Sequence, residues 1–223
     1  MSVAVVVSSH DKYSFCWEPF AHGFKKYWSD CPWPVYFITN HKDGPIGETI
    51  KVGEDKDWSS NMLQALNRIP ETTILFLLED YWLFAPTNTQ EIISLSKHIA
   101  NDRADYIRLV PSSDAHLQTF DVRISRYTKQ AVYPTSLNVG LWKKEHLQSL
   151  LVPGDTIWEF EADSPMLLQS YSRHFAVNKH DYIHYIHPDD PLKVWNDTGA
   201  MTQGKLTPSS TIWLQEEGLV LHE

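Results

Sequence analysis

The sequence predicts an α/β protein built on a central mixed, mostly parallel sheet flanked by helices. Three observations predict it. Short apolar runs recur at Val3–Val7, Val35–Ile38 and Thr73–Leu78. Segments with helical spacing of apolar residues separate them. The run Thr73-Ile74-Leu75-Phe76-Leu77-Leu78 has no polar alternation, the pattern of a central strand covered on both faces.

The elements follow in order. Val3–Val7 is a β-branched strand that ends in the polar loop Ser8-Ser9-His10-Asp11. Tyr13–Tyr27 is helical, with Phe15, Cys16, Phe20, Phe24 and Tyr27 on one side; Pro19 must fall in its first turn or break it. Cys31-Pro32-Trp33-Pro34 is a stop, and Val35–Ile38 is the second strand, ending in Thr39-Asn40. Ile50-Lys51-Val52 is a short third strand. Trp58–Ile69 carries Met62, Leu63, Leu66 and Ile69 at helical spacing, with Ser59 or Ser60 as N-cap and Pro70 as exit. After Thr73–Leu78, Thr87 or Asn88 caps a helix that runs to about Ala100.

Asp105–Leu109 is a further strand, with short strands around Phe120–Ile124. Ser136–Trp142 is read as a strand and Lys143–Leu151 as a helix. Trp158–Ser172 is a helix that opens in an acidic stretch, which suits its positive end. Phe175–Val177 and Tyr182–Ile186 are strands. The chain from about 188 to 223 is rich in Pro, Asp, Gly and Ser and is read as an irregular C-terminal segment. With no repeat or linker, residues 1–223 read as one domain.

The totals narrow the function. The chain has 223 residues, 42% hydrophobic and 21% charged, enough for a sizeable core. A formal charge of -9 without a basic stripe speaks against a nucleic-acid binder. Apolar runs of five or six residues are too short to span a membrane. The apolar start lacks a basic leader and reads as a strand, so a cytoplasmic protein is expected. The two cysteines, Cys16 and Cys31, form no metal spacing; reduced thiols are the simpler reading, with a disulfide left open. Nine Trp, 10 Tyr and 9 Phe build the core, and some of them offer flat faces for a sugar ring or a nucleobase.

Open α/β sheets bind ligands beyond the carboxyl ends of their strands. Glu79 and Asp80 stand at such an end, held within the apolar context Leu78-Glu79-Asp80-Tyr81-Trp82. Two adjacent carboxylates on a rigid strand end suit a divalent cation, which in turn binds a diphosphate. A second acidic cluster, Trp158-Glu159-Phe160-Glu161-Ala162-Asp163, opens a helix. Burial between Trp158 and Phe160 would raise a carboxyl group there toward the range of a general base. Glu161 is favoured, with Asp163 and Glu159 behind it; acids merely suited to a helix start are the plain alternative.

The order of elements, the loop after the first strand and the acids that end a central strand resemble the nucleotide-sugar glycosyltransferases of the GT-A fold. The chain is similar in particular to small transferases of bacterial polysaccharide loci and of large algal viruses. The likeness runs from about Val3 to His187 and is specific around Leu77–Trp82 and Trp158–Glu161. It implies a UDP- or dTDP-type sugar donor, a saccharide acceptor, and Mn²⁺ or Mg²⁺ bound by the strand-end acids. Glu79-Asp80-Tyr81 departs from the family's Asp-X-Asp, so Asp80 is the expected metal ligand and Glu79 a neighbour that touches ribose or metal-bound water. A late histidine, His184 or His187, is the further ligand that the resemblance suggests. Ser8, Ser9, His10, Asp11 and Tyr13 would lie under the nucleoside, the alternative being a plain strand-to-helix loop with Asp11 or Ser14 as cap; Thr39, Asn40, Trp58 and Asn61 would join them, with a packing role as the alternative for Trp58. Arg108, Arg123 and Arg126 are candidate sugar or phosphate contacts, with surface pairing as the alternative. The resemblance also leaves room for a larger multidomain transferase.

Two rival readings remain. A nucleotidyltransferase acting on sugar phosphates would carry a Gly-rich basic loop after the first strand, whereas this loop has no Gly and only Lys12. A non-catalytic carbohydrate-binding domain fits the aromatics but not acids at the end of a buried strand.

Overall fold

The computed structural model describes residues 2–131, 134–168, 173–186, 200–202 and 205–221. Among them, nine strands form one sheet in the order β3-β2-β1-β4-β9-β6-β10-β8-β7. The strands are β1 (Val3–Ser8), β2 (Val35–Thr39), β3 (Glu48–Lys51), β4 (Thr73–Leu78), β6 (Tyr106–Arg108), β7 (Ala115–Leu117), β8 (Ile124–Tyr127), β9 (Gly140–Lys143) and β10 (His174–Val177). Two further strands, β5 (Leu83–Ala85) and β11 (His184–Tyr185), pair antiparallel apart from the main sheet, as do β12 (Met201–Thr202) and β13 (Lys205–Leu206). Only β8 and β9 run against the other seven strands of the main sheet. The mostly parallel α/β architecture is therefore as the sequence predicts.

Helices cover both faces. Trp17–Tyr27 (α1) and Thr89–Ala100 (α3) pack on one, together with the β5–β11 pair and Pro208–Glu217 (α6). Trp58–Leu66 (α2), Lys144–Leu150 (α4) and Ile157–Leu168 (α5) pack on the other. β4 explains why its sequence lacks alternation. Leu75 and Leu77 face the first layer, Ile74 and Phe76 face the second, and all four are fully buried. Burying both sets removes apolar surface from water on two sides and fixes the strand rigidly. Gly23 lets α1 close on β5, because a Cβ there would meet the Leu83 carbonyl oxygen at 2.7 Å.

Some boundaries differ from the sequence reading. A short 3-10 helix, Asp11–Cys16, precedes α1 and leaves Pro19 in the first turn of that helix. The cap of α2 is Asp57, whose carboxylate accepts from the Ser60 N–H, in place of Ser59 or Ser60. Asn88 caps α3 as expected. β9 is shorter than the predicted Ser136–Trp142 strand, starting at Gly140. Cys16 and Cys31 are free thiols. No helix among the described residues is long and apolar enough to cross a membrane.

The largest correction concerns the C-terminus, where residues 208–217 form a helix in place of the expected irregular segment. Thr207 caps α6, Pro208 opens it, and Gly218 closes it in the left-handed conformation. Trp213 is 1% exposed and lies 5.4 Å from Trp82. At the other end, Glu217 accepts from Lys26 and from the Tyr27 hydroxyl and meets His22 at 2.7 Å. Burial pulls the Glu217 carboxyl up, but these three partners outweigh it and hold it down at about 2.

Two outcomes follow for α6. Trp213→Ala should cost about 3–5 kcal/mol in urea denaturation, the cost of emptying a buried Trp site; a loss under about 1 kcal/mol would show that α6 is not part of the core. Because the Glu217 value is depressed, its stabilisation is present above the ordinary value of 4.5 and is lost as pH falls through about 2. Glu217→Gln should therefore be less stable than wild type at neutral pH and lose less stability across that acid range.

Candidate functional site

The carboxyl ends of β1, β2, β3 and β4 open on one edge of the sheet, and their loops are tied together there. The Asp11 carboxylate accepts from the backbone N–H groups of Asn40, His41 and Lys42 at 3.0, 2.9 and 3.1 Å. Burial pushes its pKa up, but those donors win and the group sits below its ordinary range. Asn40 returns the contact: its Oδ1 accepts from the Asp11 N–H, and its Nδ2 donates to the Gly53 carbonyl. Thr39 Oγ1 donates to the Lys42 carbonyl. Asp11, Thr39 and Asn40 thus spend their side chains on fixing three loops.

Ser8 and Ser9 accept from the indole N–H groups of Trp58 and Trp17 at 3.1 and 2.7 Å. His10 accepts from the Lys12 N–H and meets Asp55, which also accepts from Asn61 Nδ2. Tyr13 is half-buried, and the Lys12 ammonium lies 4.9 Å above its ring. The expected nucleoside residues therefore do gather at one edge. Tyr13 packs edge-on against His10 and Phe15, and Lys12, which the sequence reading did not include in that set, is exposed.

Glu79 and Asp80 sit at the centre of this edge, in a turn closed by the Tyr81 N–H to the Leu78 carbonyl. Glu79 is 9% exposed, and Asp80 Oδ1 is enclosed with no hydrogen-bond partner among the described residues. Burial raises the pKa of both; for Glu79 the Asp80 charge adds to the rise and Lys12 offsets part of it. Below them the Cys16 thiol is pushed up by burial and by both acids. An orphaned carboxylate oxygen beside a second buried acid is a donor set that suits a hard cation.

Facing the acids is a cluster that the sequence reading did not assemble, centred on Ser136-Leu137-Asn138. Tyr106 donates to the Ser136 carbonyl at 2.7 Å and Tyr81 to the Leu137 carbonyl at 3.2 Å. Tyr185 donates to Asn138 Oδ1 at 3.0 Å and stacks on Tyr81 at 4.4 Å. Glu161 Oε1 accepts from the Leu137 N–H at 2.6 Å and from Ser136 Oγ at 3.4 Å. Burial raises the Glu161 pKa despite those bonds and the nearby Arg108 charge. Arg108 is 7% exposed among Tyr106, Tyr127 and Tyr185, so it belongs to the site interior. Gly140 permits this packing, since a Cβ there would meet the Tyr106 ring at 2.5 Å.

Other expected site residues fall elsewhere. Glu159 is exposed and forms a capping box with Thr156: its carboxylate accepts from the Thr156 N–H, and Thr156 Oγ1 accepts from its own N–H. Those bonds lower its pKa. The expected burial by Trp158 does not occur, because Trp158 is 76% exposed. Arg123 pairs with Asp121 and Glu91, the surface alternative. His184 pairs across the β5–β11 ladder with Ala85, near the Phe84 ring, and the Ile186 N–H donates to the Trp82 carbonyl. His187 and the side chain of Asp163 lie outside the described residues. Among the described residues, no group of three His, Cys, Asp or Glu side chains converges as a metal cage.

The fold has solved counterparts. S. aureus TarS 1-349 in complex with UDP superposes with a TM-score of 0.55 at 10% identity, covering 84% of this chain and 61% of that one. TarS 1-349 without a named ligand gives 0.54 at 9% identity, with the same coverages. A further TarS structure gives 0.52 at 12% identity and covers 84% of this chain and 37% of that one. The chain shares the TarS-like fold. It spans less than two thirds of the length of these neighbours. No protein-family model matches the chain, and no curated protein matches it in sequence.

A buried Glu79 beside a half-buried Asp80 whose Oδ1 is enclosed is a cost to the free protein. Because Asp80 is raised to about 7, its stabilising contribution is present below its ordinary 3.8 and is lost as pH rises through 7. Asp80→Asn should therefore raise the melting temperature of the metal-free protein above neutral pH, by on the order of 5 °C. The gain should vanish below pH 3.8. A lower melting temperature for the variant at alkaline pH would mean that the carboxylate is already compensated.

Proposed function

We propose that the chain is a metal-assisted glycosyltransferase that moves a hexose or deoxyhexose from a UDP- or dTDP-type donor to a saccharide acceptor. The observation that carries this reading is the enclosed Asp80 Oδ1, without a hydrogen-bond partner among the described residues, beside Glu79 at the carboxyl end of β4. The fold shared with TarS, which one structure holds in complex with UDP, supports it.

In this reading Asp80, with Glu79 beside it, holds Mn²⁺ or Mg²⁺. Such an ion supplies positive charge to the departing nucleoside diphosphate. Tyr13 and Lys12 face the nucleoside end, as a ring for stacking and a charge for phosphate. Across the edge, Glu161 is the base that takes the acceptor hydroxyl proton as that oxygen attacks the anomeric carbon. Its Oε1 is pinned by the Leu137 N–H, which fixes the carboxylate plane and leaves Oε2 for the acceptor. Its raised pKa suits a group that must take a proton and later release it. A base on the acceptor side serves an inverting displacement.

Calorimetry with UDP, with and without Mn²⁺, tests the reading. UDP should bind, Mn²⁺ should tighten binding about tenfold or more, and Asp80→Asn should abolish that gain. Glu161→Gln should keep UDP affinity and cut UDP release from UDP-hexoses in the presence of saccharides by about 10²–10⁴-fold. Failure of UDP to bind at millimolar concentration sinks the reading. Tighter binding of CTP or UTP than of UDP would replace it with nucleotidyl transfer to a sugar phosphate.

A further inference from the structure

Trp158 is the most exposed large aromatic among the described residues, at 76%. An indole left in water forgoes the burial that makes Trp valuable to a fold. Its position on α5 is specific. At about 100° per residue, Trp158 and Glu161 lie about 60° apart on the helix, whereas Trp158 and Phe160 lie about 160° apart. Phe160 points toward Trp58 and Trp142, with ring centroids 5.1 and 6.4 Å away. Glu161 grips Leu137 on the other side. Trp158 therefore shares the flank of Glu161, about 4.5 Å nearer the start of the helix.

We propose that Trp158 is the stacking platform for a neutral saccharide acceptor, presenting a pyranose ring whose hydroxyl reaches Glu161. The inference rests on the transferase reading. The charge around the platform selects the ligand: Glu159 follows Trp158 in the chain and is exposed, one of its oxygens held by the Thr156 N–H. Carboxylates repel a diphosphate but accept hydrogen bonds from sugar hydroxyls, while C–H faces of a sugar suit the electron-rich indole face. The donor end, by contrast, carries Lys12 beside Tyr13.

The test uses the full chain labelled with 5-fluorotryptophan and observed by ¹⁹F NMR, the Trp158 resonance being assigned by its absence in Trp158→Phe. The probes are maltotriose, cellotriose and chitotriose at millimolar concentration, and UDP with Mn²⁺ separately. At least one trisaccharide should shift the Trp158 resonance, and UDP should not. Trp158→Ala should weaken that trisaccharide about tenfold, Trp158→Phe should restore most of the affinity, and neither should change the melting temperature. No shift with any trisaccharide overturns the platform. So does a shift with UDP, which would make it a nucleobase platform, or one with protein concentration alone, which would make it a self-association face. Failure of UDP binding in the same samples would instead strike the transferase reading, whatever Trp158 does.

Discussion

Everything at the candidate site depends on holding two carboxylates where a protein interior would normally refuse them. Glu79 stays buried and Asp80 half-buried because β4 gives them no alternative. The strand is locked by apolar contacts on both faces and by parallel pairing with β1 over six residues. The free energy of that packing is spread over many side chains, so two poorly solvated acids at its end are tolerated. Their raised pKa values are the signature of that arrangement, and titratable groups perturbed by burial inside a cleft are where chemistry is expected.

The two sides of the site are fixed by different means. Beside the acids, one carboxylate, Asp11, gathers three successive backbone N–H groups and so clamps the loops after β1 and β2. Around the segment 136–138, Tyr81, Tyr106 and Tyr185 each hold one residue by a hydrogen bond, and Glu161 completes the set. Tyr81 directly follows Asp80. The turn that positions the strand-end acids thus also positions, through the Leu137 peptide, the carboxylate proposed as base.

Much of the fold was legible because its determinants are local. The β-branched run of β1, the unbroken apolar run of β4 and the spacing of Met62, Leu66 and Ile69 each follow from one segment's own burial. The helix α6 was not legible from apolar spacing, since Trp213 and Leu214 are adjacent and most of its other residues are polar. Its signals were its ends, Thr207-Pro208 and Gly218, which only cap chemistry reads. Within the site, the acids were legible as acids in an apolar context. The cluster around Leu137 was not, because it is made of backbone groups from an irregular segment met by tyrosines remote in sequence. No periodicity marks a carbonyl that will accept from Tyr106. The roles of Asp11 and Asn40 were read as ligand contacts because a polar loop at a strand end looks the same whether its side chains face a ligand or tie the loop itself.

That ambiguity sharpens what preorganisation means here. A ligand-binding edge built from free polar side chains would have to order them on binding, at a cost of about 0.5–1.5 kcal/mol for each flexible group. In this chain most of the polar groups at the edge are already bonded to one another, so that cost was met on folding. The unsatisfied capacity includes Asp80 Oδ1, Ser59 Oγ and Thr135 Oγ1 within, with the Lys12–Tyr13 pair and the Trp158 indole exposed or half-exposed at the rims. A rigid frame with a small number of unmet needs discriminates strongly. On the proposed reading, a ligand that supplied a cation to Asp80, a ring to Tyr13 and a sugar face to Trp158 would find the frame ready, and one that lacked any of them would leave a charge or an exposed ring uncompensated.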